Sequence, residues 1–159
     1  MHPNETAPPD SPKVILPPPF IYAGRLALGL LLNEIFPFPF LPERFAYPIG
    51  AALMAVSLAL IAAAARALRN AKTNMDVRRP TTAIVTSGPY RFSRNPIYLS
   101  MTLFSFGATS WFNAFWMLLM LIPILALIRF KVIAREEAYL EKKFGEEYRR
   151  YRLSVRRWL

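Results

Sequence analysis

The apolar positions of this 159-residue chain fall in long blocks rather than in the strict alternation of half-buried strands. The first block is Phe20–Phe36, with Arg25 near its start and Asn33 and Glu34 near its end. A membrane-spanning helix needs about 20 apolar residues, so this block is a marginal span. The run "FPFPFLPER" (36–44) follows, and its prolines predict a loop. Phe45–Ala65 then gives 21 residues without a charge, rich in Ala and Leu and long enough to span. Residues 66–94 form a polar connector. Pro96–Ile128 is a second uncharged stretch, 33 residues long. As one helix it would run about 50 Å at 1.5 Å per residue, well beyond a bilayer core of about 30 Å. It is therefore expected to fold as a hairpin. "TSWFNAF" (109–115) is the natural corner, with Asn113 as cap of the return helix and Pro123 as a kink within it. Beyond Ile128 the chain is strongly charged. These blocks predict an all-α membrane protein of about four transmembrane helices with a C-terminal helical extension.

The N-terminal 19 residues read differently. They hold seven prolines, which exclude a continuous helix and bury little. Residues 1–19 are expected to be a disordered tail, and 20–159 a single membrane domain. The tail does not resemble a signal peptide, because Lys13 is its only Lys or Arg and no convincing small-residue cleavage site follows the apolar run. No internal repeat is visible.

Charge adds orientation. The net charge is +10, and the basic residues flank the apolar blocks. That placement points to membrane topology and anionic lipid rather than to nucleic acid. The 66–94 connector carries seven Lys or Arg against Asp76, and 129–159 carries ten against five Glu. The 37–44 loop has one Arg and the 109–115 corner has none. The positive-inside rule then puts both basic segments, and both termini, on the cytoplasmic side.

Several chemistries drop out. The chain has no cysteine, hence no disulfide, thiol nucleophile or cysteine-bound metal. Its one histidine, His2, lies in the tail, so a Ser-His-Asp triad and a histidine metal site are both disfavoured. The six glycines are too scattered for a phosphate-cradling loop.

Three stretches remain as candidates. In "SGPYRFSRNPIYLS" (87–100), Asn95-Pro96 reads as a helix start whose free N–H groups suit an anionic ligand group. Gly88-Pro89 is a turn that can bring Tyr90 back toward it, and Tyr98 sits in the first helical turn. Arg91 and Arg94 read equally well as topology anchors, and the tyrosines as interfacial residues. In "REEAYLEKKFG" (135–145) a helical wheel puts Phe130, Ile133, Leu140 and Phe144 on one stripe, with Lys131, Arg135 and Lys142 opposite. Glu137 falls on that stripe and Glu136 on its shoulder. A carboxylate there needs a partner. Arg91 or Arg94 can be that partner structurally, and a cationic ligand group functionally. Gly145 is expected to end this helix. In "FGEEYRRYRLSVRRWL" (144–159), Tyr148 and Tyr151 followed by Val155 and Trp158 read as an amphipathic segment that packs or anchors to lipid.

"TSGPYRFSRNPIY", an uncharged hairpin, and "REEAYLEKKFGEEYRRYRLSVRRW", in that order, resemble the integral-membrane methyltransferases of the isoprenylcysteine carboxyl methyltransferase and phospholipid methyltransferase group. The resemblance covers about residues 72–159. It implies a site for S-adenosyl-L-methionine at the cytoplasmic face and a lipid or other lipophilic acceptor. Carried over by position, Tyr90, Asn95, Pro96, Tyr98 and Glu136 match cofactor-binding positions. Thr82, Ala83, Ile84 and Val85 match a strand-like lead-in whose backbone touches the cofactor. Arg94 and Glu137 are the candidate catalytic residues. Asn95 stands where the eukaryotic carboxyl methyltransferases have His, and Ser100 where a small Gly is frequent. Val132 occupies the place of an Arg thought to hold an acceptor carboxylate, with Arg129 and Lys131 nearby. A prenylcysteine carboxylate acceptor lacks that partner here. The rival reading is a non-enzymatic membrane module that binds anionic lipid or a protein partner through its basic face.

Overall fold

The structure is a computed structural model that describes residues 17–76 and 79–159, and among these every regular element is helical. Helix α1 is Pro18–Ile35 and α2 is Glu43–Asn70. A short 3-10 turn, Gly88–Arg91, precedes α3, Pro96–Trp111. A long helix, α4, covers Phe115–Phe144, and α5 is Glu146–Ser154. The expected tail lies outside the described residues up to position 16. Its last two prolines do not belong to a tail. Pro18 and Pro19 open α1, since a proline in the first turn gives up an N–H that has no helical partner.

Among the described residues, only α2 and α4 are both long and apolar enough to cross a membrane, with 28 and 30 residues and mean hydropathies of 2.1 and 2.3. Only 17% and 28% of their most apolar windows are buried inside the molecule. A core helix of a soluble protein would be covered, so these faces suit lipid. Of the about four spans expected, length and hydropathy support these two among the described residues. At 1.5 Å per residue, α3 reaches about 24 Å, under the ~30 Å core. Helix α1 carries the polar groups Arg25, Asn33 and Glu34 within its length.

The close contact between α2 and α3 is built on small residues. A Cβ on Gly50 would lie 2.7 Å from the Trp111 backbone nitrogen and 2.8 Å from the Gly107 carbonyl oxygen. A Cβ on Gly107 would lie 2.9 Å from the Gly50 carbonyl oxygen. Further along the same face, the Ser57 hydroxyl donates to the Ser100 carbonyl at 2.8 Å, and Ala64 is fully buried. Where lipid removes the hydrophobic drive between helices, such backbone proximity and hydrogen bonding carry the association. Helix α1 docks on α4 in a similar way. Gly29 abuts Met117, and the buried Arg25 guanidinium donates to the Met117 carbonyl. Arg25 therefore faces the interior rather than the headgroups.

The hairpin corner falls where the uncharged run implies, but its chemistry differs. Asn113 takes φ +46°, and Ala114, not Asn113, occupies the cap position of α4. The Asn113 side chain accepts the Phe40 and Leu41 N–H groups and donates to the Leu41 carbonyl. It fastens the proline-rich 36–42 loop instead. Trp116 Nε1 donates to the Phe36 carbonyl at 2.7 Å at the same end.

Two irregularities shape α4. A turn at Met120 lies one residue past Leu119, whose carbonyl loses the N–H that Pro123 lacks. Ile128–Ile133 then winds as a π segment, which shifts the phase of everything after it. Ile128, Val132 and Ile133 are buried, and Phe130 is 65% exposed. Phe130 thus leaves the apolar stripe where a regular wheel puts it. Gly145, at φ +54°, ends α4 as expected.

Gly50→Val is expected to lower stability by about 2–3 kcal/mol through overpacking against backbone. Thermal unfolding in detergent would measure it. Val56→Ala, on the exposed face of the same helix, should change little by comparison.

Candidate functional site

The proline-rich loop and the hairpin corner meet at one end of the molecule. At the other end lie the start of α1, the end of α2, the 3-10 turn, the start of α3 and the end of α4. There they surround a cavity of about 380 Å³. Its walls hold both carboxylates of the "REE" run, Glu136 and Glu137, together with Arg94, Asn95, Tyr90, Tyr98, Tyr148 and Tyr151. The apolar part comes from Pro18, Phe20, Ile97, Met101 and Leu140.

Each polar wall has a local cause. Gly88 adopts φ +58°, open to glycine at little cost, and lets the 3-10 turn bring Tyr90 under α2. There Tyr90 packs with Ala64, Ala67, Leu68 and Val85. The Tyr151 hydroxyl holds it by donating to the Tyr90 carbonyl at 2.8 Å. Pro96 opens α3, and Tyr98 in its first turn donates its hydroxyl to Glu136 Oε2 at 2.8 Å. No cation pairs with Glu136 among the described residues.

Glu137 has the opposite surroundings. It is 8% exposed and takes a two-point fork from Arg157, with Nε to Oε1 at 3.0 Å and Nη2 to Oε2 at 2.6 Å. Arg94 Nη2 approaches Oε1 at 3.2 Å. Arg94 keeps its buried Nε and Nη1 without a hydrogen-bond partner among the described residues. Arg94, not Arg91, is thus the arginine that reaches the "REE" run.

Asn95 sits at the cap position of α3 but makes no capping hydrogen bond. Its amide donates instead to the Arg157 carbonyl at 2.9 Å. The Ser93 hydroxyl donates to the same carbonyl at 3.3 Å, and the Arg94 backbone N–H to the Arg156 carbonyl at 3.0 Å. The segment after α5 is therefore strapped across the motif loop, and Trp158 packs against the cluster that includes Tyr22 and Tyr98.

Of the expected cofactor-binding and catalytic residues, all but Thr82 line the cavity. Thr82 ties its own loop together, with its hydroxyl donating to the Lys72 carbonyl and its N–H to Thr73 Oγ1. The 82–85 stretch forms no strand, because no neighbouring strand exists among the described residues to pair with it. Sequence reasoning missed Tyr148 and Tyr151 as cavity walls, and the start of α1. The i, i+3 spacing of the two tyrosines was visible, but nothing local says which surface they meet. Arg157 is indistinguishable from its neighbouring arginines until the chain folds back.

Burial pushes the Tyr148 phenol up to about 12, and the Glu137 carboxylate adds to the effect. Burial likewise raises Tyr90 and Tyr151. Hydrogen bonding to Glu137 raises the Arg157 guanidinium.

Helical elements throughout the described residues, two lipid-suited helices and a cavity lined by carboxylate, guanidinium and phenol at one end define a helical membrane protein with a polar-walled cavity. The chain belongs to the phospholipid methyltransferase family, whose model matches residues 45–147. That match contains nearly all of α2, the whole of α3 and α4, and stops before Tyr148. An uncharacterized protein of Haemophilus influenzae is 52% identical over 64 residues, which is 40% of this chain and all of that protein. No solved structure matches the chain.

A tyrosine whose folded pKa is raised contributes stability that is intact below the unfolded value near 10 and is lost as pH rises through the folded value. Stability should therefore fall between about pH 10 and about pH 12 as Tyr148 ionises. Tyr148→Phe should flatten part of that decline in thermal unfolding measured from about pH 8 upward.

Proposed function

We propose that the cavity holds S-adenosyl-L-methionine and that the chain transfers its methyl group to a lipophilic acceptor at the cytoplasmic membrane face. The observation that carries this reading is Glu136, a carboxylate on the cavity wall whose hydrogen-bond partner is a phenol and not a cation. A desolvated carboxylate among aromatic faces suits an ammonium or sulfonium ligand group. Arg94, with two unpartnered nitrogens, suits a carboxylate on the same ligand. The proposed cofactor carries all three groups, and family membership supports methyl transfer.

When bound, the cofactor supplies an electrophilic methyl group on a positively charged sulfur. The chain's own part is to bind and align. Glu136 and the tyrosines hold the cationic part, and Arg94 holds the anionic end. The apolar wall of Pro18, Phe20, Ile97, Met101 and Leu140 suits a hydrocarbon-bearing acceptor. Holding an acceptor at near-attack distance supplies much of the rate of such a displacement. Val132 is buried in the cluster with Tyr22 and Tyr98, while Arg129 and Lys131 are exposed. None of the three supports an acceptor carboxylate in the cavity. The basic connector and tail flank the cavity end, and the positive-inside rule puts that end in the cytoplasm.

Calorimetry with S-adenosylhomocysteine on protein in lipid nanodiscs tests the reading. Wild type should bind saturably, and Glu136→Gln should bind at least about tenfold more weakly while remaining folded. Folded wild type that does not bind would contradict the reading. Salt-sensitive adsorption to anionic vesicles would then favour a lipid-binding module.

A further inference from the structure

We infer that Arg157 is a positioning residue of this site, which neutralises Glu137 so that, of this adjacent pair, only Glu136 offers the cavity a carboxylate without a cationic partner among the described residues. The inference rests on the cofactor reading above and assigns a role to a residue ten positions beyond the family match. Glu136 and Glu137 are adjacent on one helical turn, and both line the cavity. Two unpaired carboxylates so close would repel, and neither would hold a defined position. The structure separates their roles through unequal partners. Glu137 has two guanidinium partners, while Glu136 has a phenol.

Arg157 does most of that neutralising. It meets Glu137 through two parallel N–H···O contacts at 3.0 and 2.6 Å, whereas Arg94 makes one at 3.2 Å. Bidentate contacts of this kind fix geometry as well as charge. They also leave Arg94 free to turn its Nε and Nη1 elsewhere. Arg157 does not itself line the cavity. Its backbone is fixed there because its carbonyl accepts the Asn95 amide at 2.9 Å and the Ser93 hydroxyl at 3.3 Å. The strap thus joins the loop before α3 to the end of α4 through one residue. Side chain and carbonyl act on the two halves of the cavity wall.

A scaffold role and a charge role differ in what they do to two ligands. S-adenosylmethionine carries a sulfonium where S-adenosylhomocysteine carries a neutral thioether. Loosening the strap weakens both alike. Removing the Arg157 charge leaves Glu137 short of one cation, and the extra negative potential favours the sulfonium. Dissociation constants of both ligands would be measured by calorimetry for wild type, Arg157→Gln, Arg157→Lys and the double variant Glu137→Gln/Arg157→Gln. Arg157→Gln should weaken thioether binding and raise the preference for the sulfonium by about threefold or more. Arg157→Lys should weaken both ligands and keep the wild-type preference. The double variant should restore that preference. An unchanged preference in Arg157→Gln, with wild type binding normally, overturns the role of Arg157 alone. Failure of wild type to bind either ligand overturns the cofactor reading with it. If Arg157→Gln does not fold, Glu137→Gln takes its place: its preference for the sulfonium should fall below wild type and rise again in the double variant, and equal preferences in the two overturn the charge role of Arg157.

Discussion

Glu137 is a carboxylate withdrawn from water at the end of a membrane helix, and the architecture of the site follows from satisfying it. A lone buried charge of this kind costs several kcal/mol unless it is paired and hydrogen-bonded. Its partners come from two places far apart in the chain, Arg94 before α3 and Arg157 after α5. To reach it, the chain must turn back at Gly145, run through α5 and lie across the motif loop. That return path brings Tyr148 and Tyr151 into the cavity wall and sets the Tyr151 hydroxyl on the Tyr90 carbonyl. One ion-pair cluster thereby ties the ends of three helices into a single pocket.

The rest of the helical frame holds those ends in place. Gly50 and Gly107 let α2 and α3 meet backbone to backbone, so the end of α2 lies beside the start of α3 and Tyr90 fits between them. Asn113 anchors the far loop and keeps α1 against the hairpin, with Arg25 and Gly29 set on Met117. The π segment in α4 matters for the site as well. By changing the helical phase it buries Ile128, Val132 and Ile133 and leaves Phe130 outside. Glu136 and Glu137 take their positions after that shift. The irregular turn stands between the apolar span and the cavity-lining carboxylates.

Much of this was legible in the chain. Uncharged blocks located α2 and the hairpin because length and hydropathy depend on no distant contact. Gly88-Pro89, Asn95-Pro96 and Gly145 marked turns and helix ends through backbone preferences that act locally. The roles of Asn95 and Asn113 were not legible. Both have the right residue type for a helix cap, but each side chain finds a better partner in a distant segment, the Arg157 carbonyl and the 40–41 backbone. Phe130 was misplaced because a wheel assumes a uniform turn. Arg157 could not be singled out, since its identity as a partner of Glu137 depends on the path of the whole C-terminal segment.

S-adenosyl-L-methionine is the ligand proposed for the cavity between the motif loop and the end of α4. Ultraviolet cross-linking of methyl-labelled cofactor to the protein in native membranes, followed by peptide mapping, tests it most directly. Binding there should place label on peptides containing Tyr90–Tyr98 or Glu136–Tyr151, displaced by excess S-adenosylhomocysteine. Label confined to the outer face of α2, or label that the competitor does not displace, would contradict it.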